Sequence, residues 1–338
     1  MKKVVGIVFS DLHINLWNKF NQENKRTLNH FRVLFLIKSL CMKYGCPALF
    51  CGDLFHKPEY MENEMLEKVM NVFDELDWDN WKMYTISGNH DMSKSNTKEN
   101  QSPSWIKTLS RRYEFLECID FNSVVVNNDF AVHGVPYLDH NKGLNDYVKN
   151  IEIIKGRKDL DIPNILLLHT DYPGARDTDG MEVGSVENLN VNIVSRFDLV
   201  LIGHIHKPQR LSKKVYMVGA PLQQRRTDKN CDLGYWKLYS DMSMKFIPLE
   251  EFPRFIDVEK EEDIKDDGNY YTLISKQVEE LDNTTNKITR NLSKKRLVSR
   301  YLELVITIEY PLIIILYFPF IEKFYCKWYK YKMSTFSF

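Results

Sequence analysis

Three absences narrow the class of protein that this sequence encodes. Its six cysteines include no C-x-x-C pair and no regular framework, which argues against a disulfide scaffold or a zinc ribbon. The 46 basic and 46 acidic side chains cancel, so no global basic field points to nucleic acid. The first apolar run, Val4–Phe9, is too short for a signal peptide. We therefore expect a cytoplasmic protein with reduced thiols.

The 338 residues nevertheless hold enough apolar material for a sizeable core, since 43% are hydrophobic and 13% are aromatic. This composition excludes a mainly disordered or fibrous chain. At about 150 residues per domain, the length predicts two domains, or one large α/β domain with a small appendage.

Apolar periodicity predicts strands and helices that alternate in the first part of the chain. The predicted helices are Glu23–Tyr44 and Glu62–Leu76. The predicted strands are Val4–Phe9, Ala48–Cys51, Lys82–Ile86, Asp129–His133, Ile165–Leu168, Leu199–Ile202, Val215–Val218, Tyr235–Tyr239 and Met244–Pro248. Early β-α-β alternation followed by meander-like strands favours a mixed-sheet α/β fold.

The composition changes near residue 250, which suggests a domain boundary. Asp257–Asp267 carries seven acids against two lysines, whereas Asn283–Arg300 carries six basic residues and no acid. We interpret the acidic run mainly as a solvated surface. The predicted domains are therefore 1–250, which carries the chemistry, and 251–338.

Five short motifs follow predicted strands, and each supplies carboxylate, imidazole or amide side chains. They are Asp11-Leu12-His13, Gly52-Asp53, Gly88-Asn89-His90-Asp91, His169 and Gly203-His204-Ile205-His206. In open α/β sheets, ligand sites gather at the carboxyl ends of strands. The donor types suit Mn²⁺ or Fe²⁺, with Zn²⁺ as an alternative, and the absence of cysteine from the set argues against a structural thiolate site.

Seven candidate ligands are more than one tetrahedral ion needs and are about right for two ions that share a carboxylate. They are Asp11, His13, Asp53, Asn89, His169, His204 and His206. Each motif alone has an ordinary explanation, because G-D and G-N-H-D are common in turns. A single histidine such as His169 is more often a hydrogen-bonded core residue than a ligand. Their joint occurrence at strand ends favours a metal site.

This ordered set resembles the calcineurin-like metallophosphoesterase superfamily over residues 11–206. Gly52–His56 further resembles the SbcD or Mre-type DNA double-strand-break repair nucleases and the small subunit of phage recombination endonucleases. Val218–Leu222, followed by Gly234–Trp236 and Lys245–Pro248, looks like the end of that catalytic domain. The resemblance implies an α/β four-layer sandwich, two mixed β-sheets flanked by helices, with a small C-terminal α+β capping region.

The same resemblance implies a role for each side chain. Two sets of ligands would share a bridging Asp53: Asp11, His13, Asp53 and His206 for one metal, and Asp53, Asn89, His169 and His204 for the other. His90 would stand beside the scissile phosphate, oriented by Asp91, and His56 would help to position His90 or the phosphate. Mn²⁺ is the expected ion, with Fe²⁺ and Zn²⁺ as alternatives.

Three features favour DNA as the substrate. They are His56 in its G-D-L-F-H context, the basic stretch 287–300 in the expected capping region, and a basic group near the last metal motif. That group comprises Lys207, Arg210, Lys213, Lys214, Arg225 and Arg226. A local basic surface is enough for phosphate contact on a neutral protein, although ordinary solubility explains residues 207–214 equally well.

The resulting hypothesis is a metal-dependent DNA exonuclease or endonuclease of repair or recombination. The resemblance also implies an SbcC/Rad-type coiled-coil ATPase as a partner. The oligomeric state is left open, with a homodimer as one alternative. A stand-alone phosphodiesterase or phosphatase for small nucleotides or phosphoproteins is the alternative. A non-catalytic binding subunit is disfavoured because all seven ligands and His90 are present.

The end of the chain is unusually aromatic, since residues 301–338 hold 12 of the 43 aromatic side chains. The uncharged stretch Tyr310–Ile321 is interrupted by Pro311 and Pro319 and falls short of the ~20 residues that span a membrane. We therefore expect no membrane span. Tyr301–Ile308 alternates and predicts a strand. After about residue 308 we expect a truncated or altered C-terminus, with a partner-docking segment as the alternative.

Overall fold

The computed structural model describes residues 2–21, 24–93, 102–127, 129–138, 143–155, 161–183 and 189–274, and the backbone of two strands at 302–307 and 313–318. The chain forms two compact units, Met1–Pro253 and Arg254–Phe338. The helices are α1 Lys25–Tyr44, α2 Asn63–Leu76, α3 Trp105–Leu109, α4 Leu144–Asn150 and α5 Val191–Val194. The strands are β1 Val4–Phe9, β2 Ala48–Phe50, β3 Met83–Thr85, β4 Leu116–Cys118, β5 Ser123–Val126, β6 Phe130–Val135, β7 Asn164–His169, β8 Leu199–Gly203, β9 Gln209–Arg210, β10 Val215–Met217, β11 Gly234–Tyr239, β12 Met244–Pro248, β13 Phe255–Val258, β14 Tyr270–Leu273, β15 Leu302–Thr307 and β16 Ile313–Phe318.

The first unit contains two six-stranded mixed sheets. In the first sheet, ordered β12-β11-β1-β2-β3-β4, strands β1 to β4 are parallel and β11 and β12 continue antiparallel from β1. In the second, ordered β5-β6-β7-β8-β10-β9, the four central strands are parallel and both edge strands are antiparallel. Parallel pairing aligns the carboxyl ends of the central strands along one edge of each sheet.

Alternating side chains bury both faces of these sheets. In β7, Ile165 and Leu167 belong to the core shared by the two sheets, whereas Leu166 and Leu168 pack with α4 and α5 on the outer side. This period of two explains why the strand reads as an unbroken apolar run. Two sheets packed face to face and covered by helices on both outer sides form the four-layer arrangement, so the predicted fold class is confirmed.

Helices α1 and α2 cover the outer face of the first sheet. In α2, Met65, Val69, Phe73 and Leu76 are buried at helical spacing. They join the core that includes α1 and the outward side chains of β1 to β3. Helix α1 ends at Gly45, whose φ of 60° allows its N–H to reach the carbonyls of Cys41 and Met42. These helices therefore cover the first sheet on the side away from the second sheet.

The second unit contains a four-stranded sheet ordered β13-β14-β16-β15. Strand β15 lies within the predicted strand Tyr301–Ile308, and β16 lies within the uncharged stretch Tyr310–Ile321. The basic stretch 287–300 and residues 319–338 lie outside the described residues. In the part of the chain that the structure describes, no helix is long and apolar enough to cross a membrane. That the second unit is a capping region stays a prediction.

Candidate metal centre

The candidate ligands lie where the two sheets of the first unit meet. Asp11, Asp53 and Asn89 follow β1, β2 and β3, while His169 ends β7 and His204 directly follows β8. The sheets approach so closely there that a Cβ on Gly203 would lie 2.3 Å from the carbonyl oxygen of Cys51. The glycine that precedes His204 is therefore needed for the close approach, which brings ligands from both sheets together.

Seven side chains predicted as ligands converge in two groups. Asp11, His13 and His206 present ligand atoms within 4.8 Å of one another, and so do Asp53, His169 and His204. Oδ1 of Asn89 lies 3.0 Å from both Nε2 of His169 and Nδ1 of His204, so it joins the second group.

Asp53 contacts both groups. Its Oδ2 lies 3.3 Å from Nε2 of His169 and 3.6 Å from Nε2 of His13. Its other oxygen, Oδ1, accepts the backbone N–H of His90 at 2.8 Å. This position is the one that a bridging carboxylate requires, and the bridging role itself stays a prediction.

The donor set fits divalent metal ions. Nε2 of His13 lies 3.1 Å from Nε2 of His206. Ligands that sit about 2.0–2.2 Å from one ion are roughly 3 Å apart, which matches this spacing. Oxygen and imidazole nitrogen donors without thiolate suit Mn²⁺, Fe²⁺ or Zn²⁺. The residues therefore fit the expected divalent ions.

The charges of the cluster also favour bound cations. Burial raises the pKa of Asp11. Burial would likewise raise the pKa of Asp53, but the imidazoles of His169 and His13 hold it below its ordinary value. Burial alone would lower the pKa of His169, yet the two carboxylates raise it to about 9. Buried carboxylates that promote protonation of a neighbouring histidine are stabilised by nearby positive charge, and bound divalent cations would supply that charge.

His90 and His56 lie beside this centre. The three rings of His13, His56 and His90 form a cluster with centroid separations of 4.8–5.4 Å. Nδ1 of His90 donates to the backbone carbonyl of His56 at 2.7 Å, and the two rings stack. His56 therefore contacts His90 through its carbonyl and its ring, and the positioning role that the resemblance implies for it stays a prediction. This bond occupies Nδ1 of His90.

The role expected for Asp91 is corrected. Its fully buried carboxylate accepts the backbone N–H groups of Asp53, Phe55 and Gly88 at 2.7–3.0 Å, and the carbonyl of His56 supplies the contact to His90 that Asp91 was expected to make. Burial and the charge of Asp53 raise the pKa of Asp91 to about 8, against these donors. Asp91 therefore joins the G-N-H-D turn to the loop after β2.

Two carboxylates near the centre are absent from the predicted set. Oδ1 of Asp171 lies 3.5 Å from Nε2 of His204, and Oδ2 of Asp228 lies 3.7 Å from Nδ1 of His206. Asp171 stands two residues after His169, where a strand-end position is a usable signal. Asp228 lies in the short 3₁₀ turn Arg226–Asn230, and none of the predicted ligand motifs includes it, so its sequence neighbours give no indication of the contact.

The fold and the site define a metal-dependent phosphoester hydrolase. The sequence profile of the calcineurin-like phosphoesterase family matches residues 7–208, which is more than half of the chain. The chain belongs to this family.

Two relatives show different extents of similarity. The phosphoesterase 244L of Invertebrate iridescent virus 6 is 25% identical over 173 residues, which cover 51% of this chain and 56% of that protein. The SbcD component of the nuclease SbcCD from Staphylococcus saprophyticus is 23% identical over 296 residues, which cover 79% of this chain and 74% of that protein. The chain thus spans little more than half the length of the viral relative.

Among solved structures, the protein TT1561 of Thermus thermophilus is similar with a TM-score of 0.40 and 12% sequence identity. The match covers 73% of this chain and 99% of that one.

Proposed function

We propose that this chain is a dinuclear-metal-dependent nuclease that hydrolyses phosphodiester bonds of DNA in repair or recombination. The observation that carries the proposal is the pair of ligand groups that meet at Asp53 with His90 beside them. Such an arrangement has two cation sites for a phosphate group and one imidazole for the leaving oxygen.

Each part of the site has a distinct task. Bound divalent ions would activate water near neutral pH and neutralise charge on the phosphate. His90, held at Nδ1 by the carbonyl of His56, presents Nε2 to donate a proton to the leaving oxygen. His56 and Trp17, whose rings lie 5.0 Å apart, close the side of the site next to His90. No side chain of the site needs to form a covalent bond to phosphorus.

Support for DNA comes from the basic group near His206 and from the relative named as a nuclease component. Arg210, Lys213, Lys214 and Arg225 are exposed, and Lys207 directly follows the last ligand. Some of these cations also serve the fold, because Arg210 donates to the carbonyls of Ser212 and Lys213. The match to the SbcCD component extends beyond the catalytic unit, since it covers 79% of this chain.

The proposal is tested with purified full-length chain and added Mn²⁺, and with Fe²⁺ and Zn²⁺ in parallel. Linear duplex DNA, single-stranded DNA and bis-p-nitrophenyl phosphate are offered as substrates, with EDTA as the control. Metal-dependent cleavage of DNA supports the proposal, and end-labelled substrates separate exonuclease from endonuclease action. Hydrolysis of the small ester without DNA cleavage overturns the nuclease proposal and favours a stand-alone phosphodiesterase.

The expected partner follows from the same likeness, and the expected cytoplasmic location is part of the same proposal. An SbcC/Rad-type coiled-coil ATPase would regulate access to DNA, and the chain would act in the cytoplasm. Reconstitution with such an ATPase should make DNA cleavage depend on ATP. Cleavage that is indifferent to the ATPase and to ATP contradicts this part alone.

A further inference from the structure

Each imidazole ring has two nitrogens, and one of them faces the group of ligands. In three of the four candidate ligand histidines, the other nitrogen faces an oxygen atom that can accept a hydrogen bond. Nδ1 of His169 donates to the carbonyl of Cys51 at 2.7 Å, while its Nε2 faces Asn89 and Asp53. Nε2 of His204 and Nδ1 of His206 instead face carboxylates. Histidines that bind metal commonly donate their second N–H in this way, which fixes the tautomer and the ring orientation.

The two histidines of the G-H-x-H motif use opposite nitrogens. Nδ1 of His204 faces the ligand Asn89 at 3.0 Å, so its outer nitrogen is Nε2, which lies 3.5 Å from Oδ1 of Asp171. Nε2 of His206 faces His13 at 3.1 Å, so its outer nitrogen is Nδ1, which lies 3.7 Å from Oδ2 of Asp228. Since a nitrogen that carries a proton has no lone pair for a metal, the two rings need opposite tautomers.

Asp228 is held firmly in place. Its side chain is fully buried in a short 3₁₀ turn, Arg226–Asn230. Oδ2 accepts the backbone N–H of Gln224 at 2.9 Å and that of Arg225 at 3.2 Å. A buried carboxylate with this support presents a fixed negative charge to His206.

Asp171 is held less firmly, in the loop after β7. Its side chain is 23% exposed, and that of His204 is 28% exposed. Among the described residues, neither Oδ1 of Asp171 nor Nδ1 of His206 has a hydrogen-bond partner. Both carboxylate–imidazole separations, 3.5 Å and 3.7 Å, are slightly longer than a direct hydrogen bond.

We propose that Asp171 and Asp228 are positioning residues that select opposite tautomers of His204 and His206, so that each carboxylate supports a different metal site. The inference rests on the dinuclear centre of the proposed function, and it adds that each carboxylate positions a ligand of one metal site only. Asp228 acts on the site of Asp11, His13 and His206. Asp171 acts on the site that includes Asn89 and His204.

The test compares Asp171→Asn and Asp228→Asn, which keep the shape of the side chain and remove its charge. The expected result is a loss of about 10–100-fold in Mn²⁺ affinity at one site in each variant, with the other site unchanged. Occupancy of each site is measured by anomalous diffraction from crystals at limiting Mn²⁺. Asp77→Asn is the matched control, because Asp77 also accepts a backbone N–H, from Phe115, and lies outside the centre.

A second measurement reads the tautomers directly. Long-range ¹⁵N–¹H spectra of the Zn²⁺-loaded protein should place the proton of His204 on Nε2 and that of His206 on Nδ1, and each variant should disturb only its own histidine. Equal weakening of both sites, an effect no larger than that of Asp77→Asn, or the same tautomer on both rings overturns the inference. Neither measurement uses DNA, so a chain that binds two ions as described but cleaves no DNA contradicts the nuclease proposal alone.

Discussion

Strained backbone holds the ligands of this centre. Asp11, His13, Asp53 and His204 have φ values of 52°, 52°, 60° and 88°, in the left-handed region that residues other than glycine seldom adopt. Conformations of this kind cost about 1–3 kcal/mol each and persist only where the surroundings enforce them. Here they turn side chains from separate strand ends toward one point, so the strain belongs to the geometry of the site.

Substitution of His90 and Asp53 separates chemistry from metal binding. His90→Ala should keep both ions but lose about 10²–10⁴-fold in turnover, because the imidazole only assists proton transfer. Asp53→Ala should lose metal as well as turnover, because its carboxylate contacts both ligand groups. Calorimetric titration with Mn²⁺ measures metal binding, and cleavage of DNA measures turnover, because the alkoxide that leaves from DNA needs a proton whereas p-nitrophenolate leaves without one. If His90→Ala remains fully active, the role given to His90 is wrong.

The buried ring of His30, which is not one of the candidate ligands, is expected to make the stability of the fold depend on pH. Burial lowers the pKa of His30 from its usual 6.5 to about 4, so between these values the unfolded chain binds a proton that the folded chain does not. Stability gained from the neutral ring is therefore present above pH 6.5 and is lost as the pH falls toward 4, by about 3 kcal/mol.

Urea unfolding in EDTA at several pH values measures this loss. His30→Gln removes the titrating ring and keeps the other histidines, so its free energy of unfolding should fall less steeply between pH 6.5 and 4. Parallel slopes for the variant and the unchanged chain would show that His30 does not titrate in this window.

The sequence predicts residues of the site better than their contacts. The ligands of each sheet lie together because motifs at the ends of parallel strands share an edge, and all seven converge because the two sheets approach each other at Gly203. The contact of Asp91 is different, because a carboxylate next to His90 in sequence turns away to accept three backbone N–H groups. Asp171 and Asp228 face histidines of another loop or strand end, and such pairs depend on tertiary packing that no local pattern encodes.

At the scale of elements, the close approach of the two sheets depends on a glycine. A Cβ on Gly203 would lie 2.3 Å from the carbonyl oxygen of Cys51 and 2.4 Å from Oγ of Ser10. Gly203→Ala should therefore push β8 away from the loops after β1 and β2, cost about 1–3 kcal/mol of stability and weaken metal binding through His204.

Gly180→Ala is the matched control for this prediction. Gly180 has a φ of 83° and nothing within 4 Å of an added Cβ, so alanine there strains the backbone without a clash. It should cost about 1–2 kcal/mol and leave metal affinity unchanged. Thermal unfolding and Mn²⁺ titration of both variants separate the two effects, and equal metal affinities would argue against the proposed contact of the sheets.

Whether an element is predictable here depends on the pattern around it more than on its length. The pattern of β12 predicts its bounds, Met244–Pro248, and the predicted α2 begins one residue too early. The three-residue strands β2, β3 and β10 each lie within a longer predicted strand. Strands β4 and β9 and helix α5, with three, two and four residues, are not predicted, because their sequences show no usable period. These short elements lie at sheet edges or on the outer layer, and their omission leaves the predicted site intact.

At the scale of the whole molecule, the candidate chemistry lies in one unit. Every proposed ligand, together with His90 and both positioning carboxylates, precedes Pro253. The last residues of that unit also belong to its own core, since Leu249 and Phe252 pack into the cluster formed by α1, α2 and the first sheet. A unit with its own core and its own site is expected to fold and to act on a small substrate alone.

A chain of residues 1–253 tests this expectation. It should unfold cooperatively, bind the same number of Mn²⁺ ions as the full chain and hydrolyse bis-p-nitrophenyl phosphate at a comparable rate, because no side chain assigned to the site is removed. Cleavage of DNA should fall relative to the full chain if residues 254–338 contribute to DNA binding, as expected of a capping region. Retained DNA cleavage would restrict the nuclease to the first unit. Loss of ester hydrolysis in a chain that still folds would mean that the second unit completes the active site.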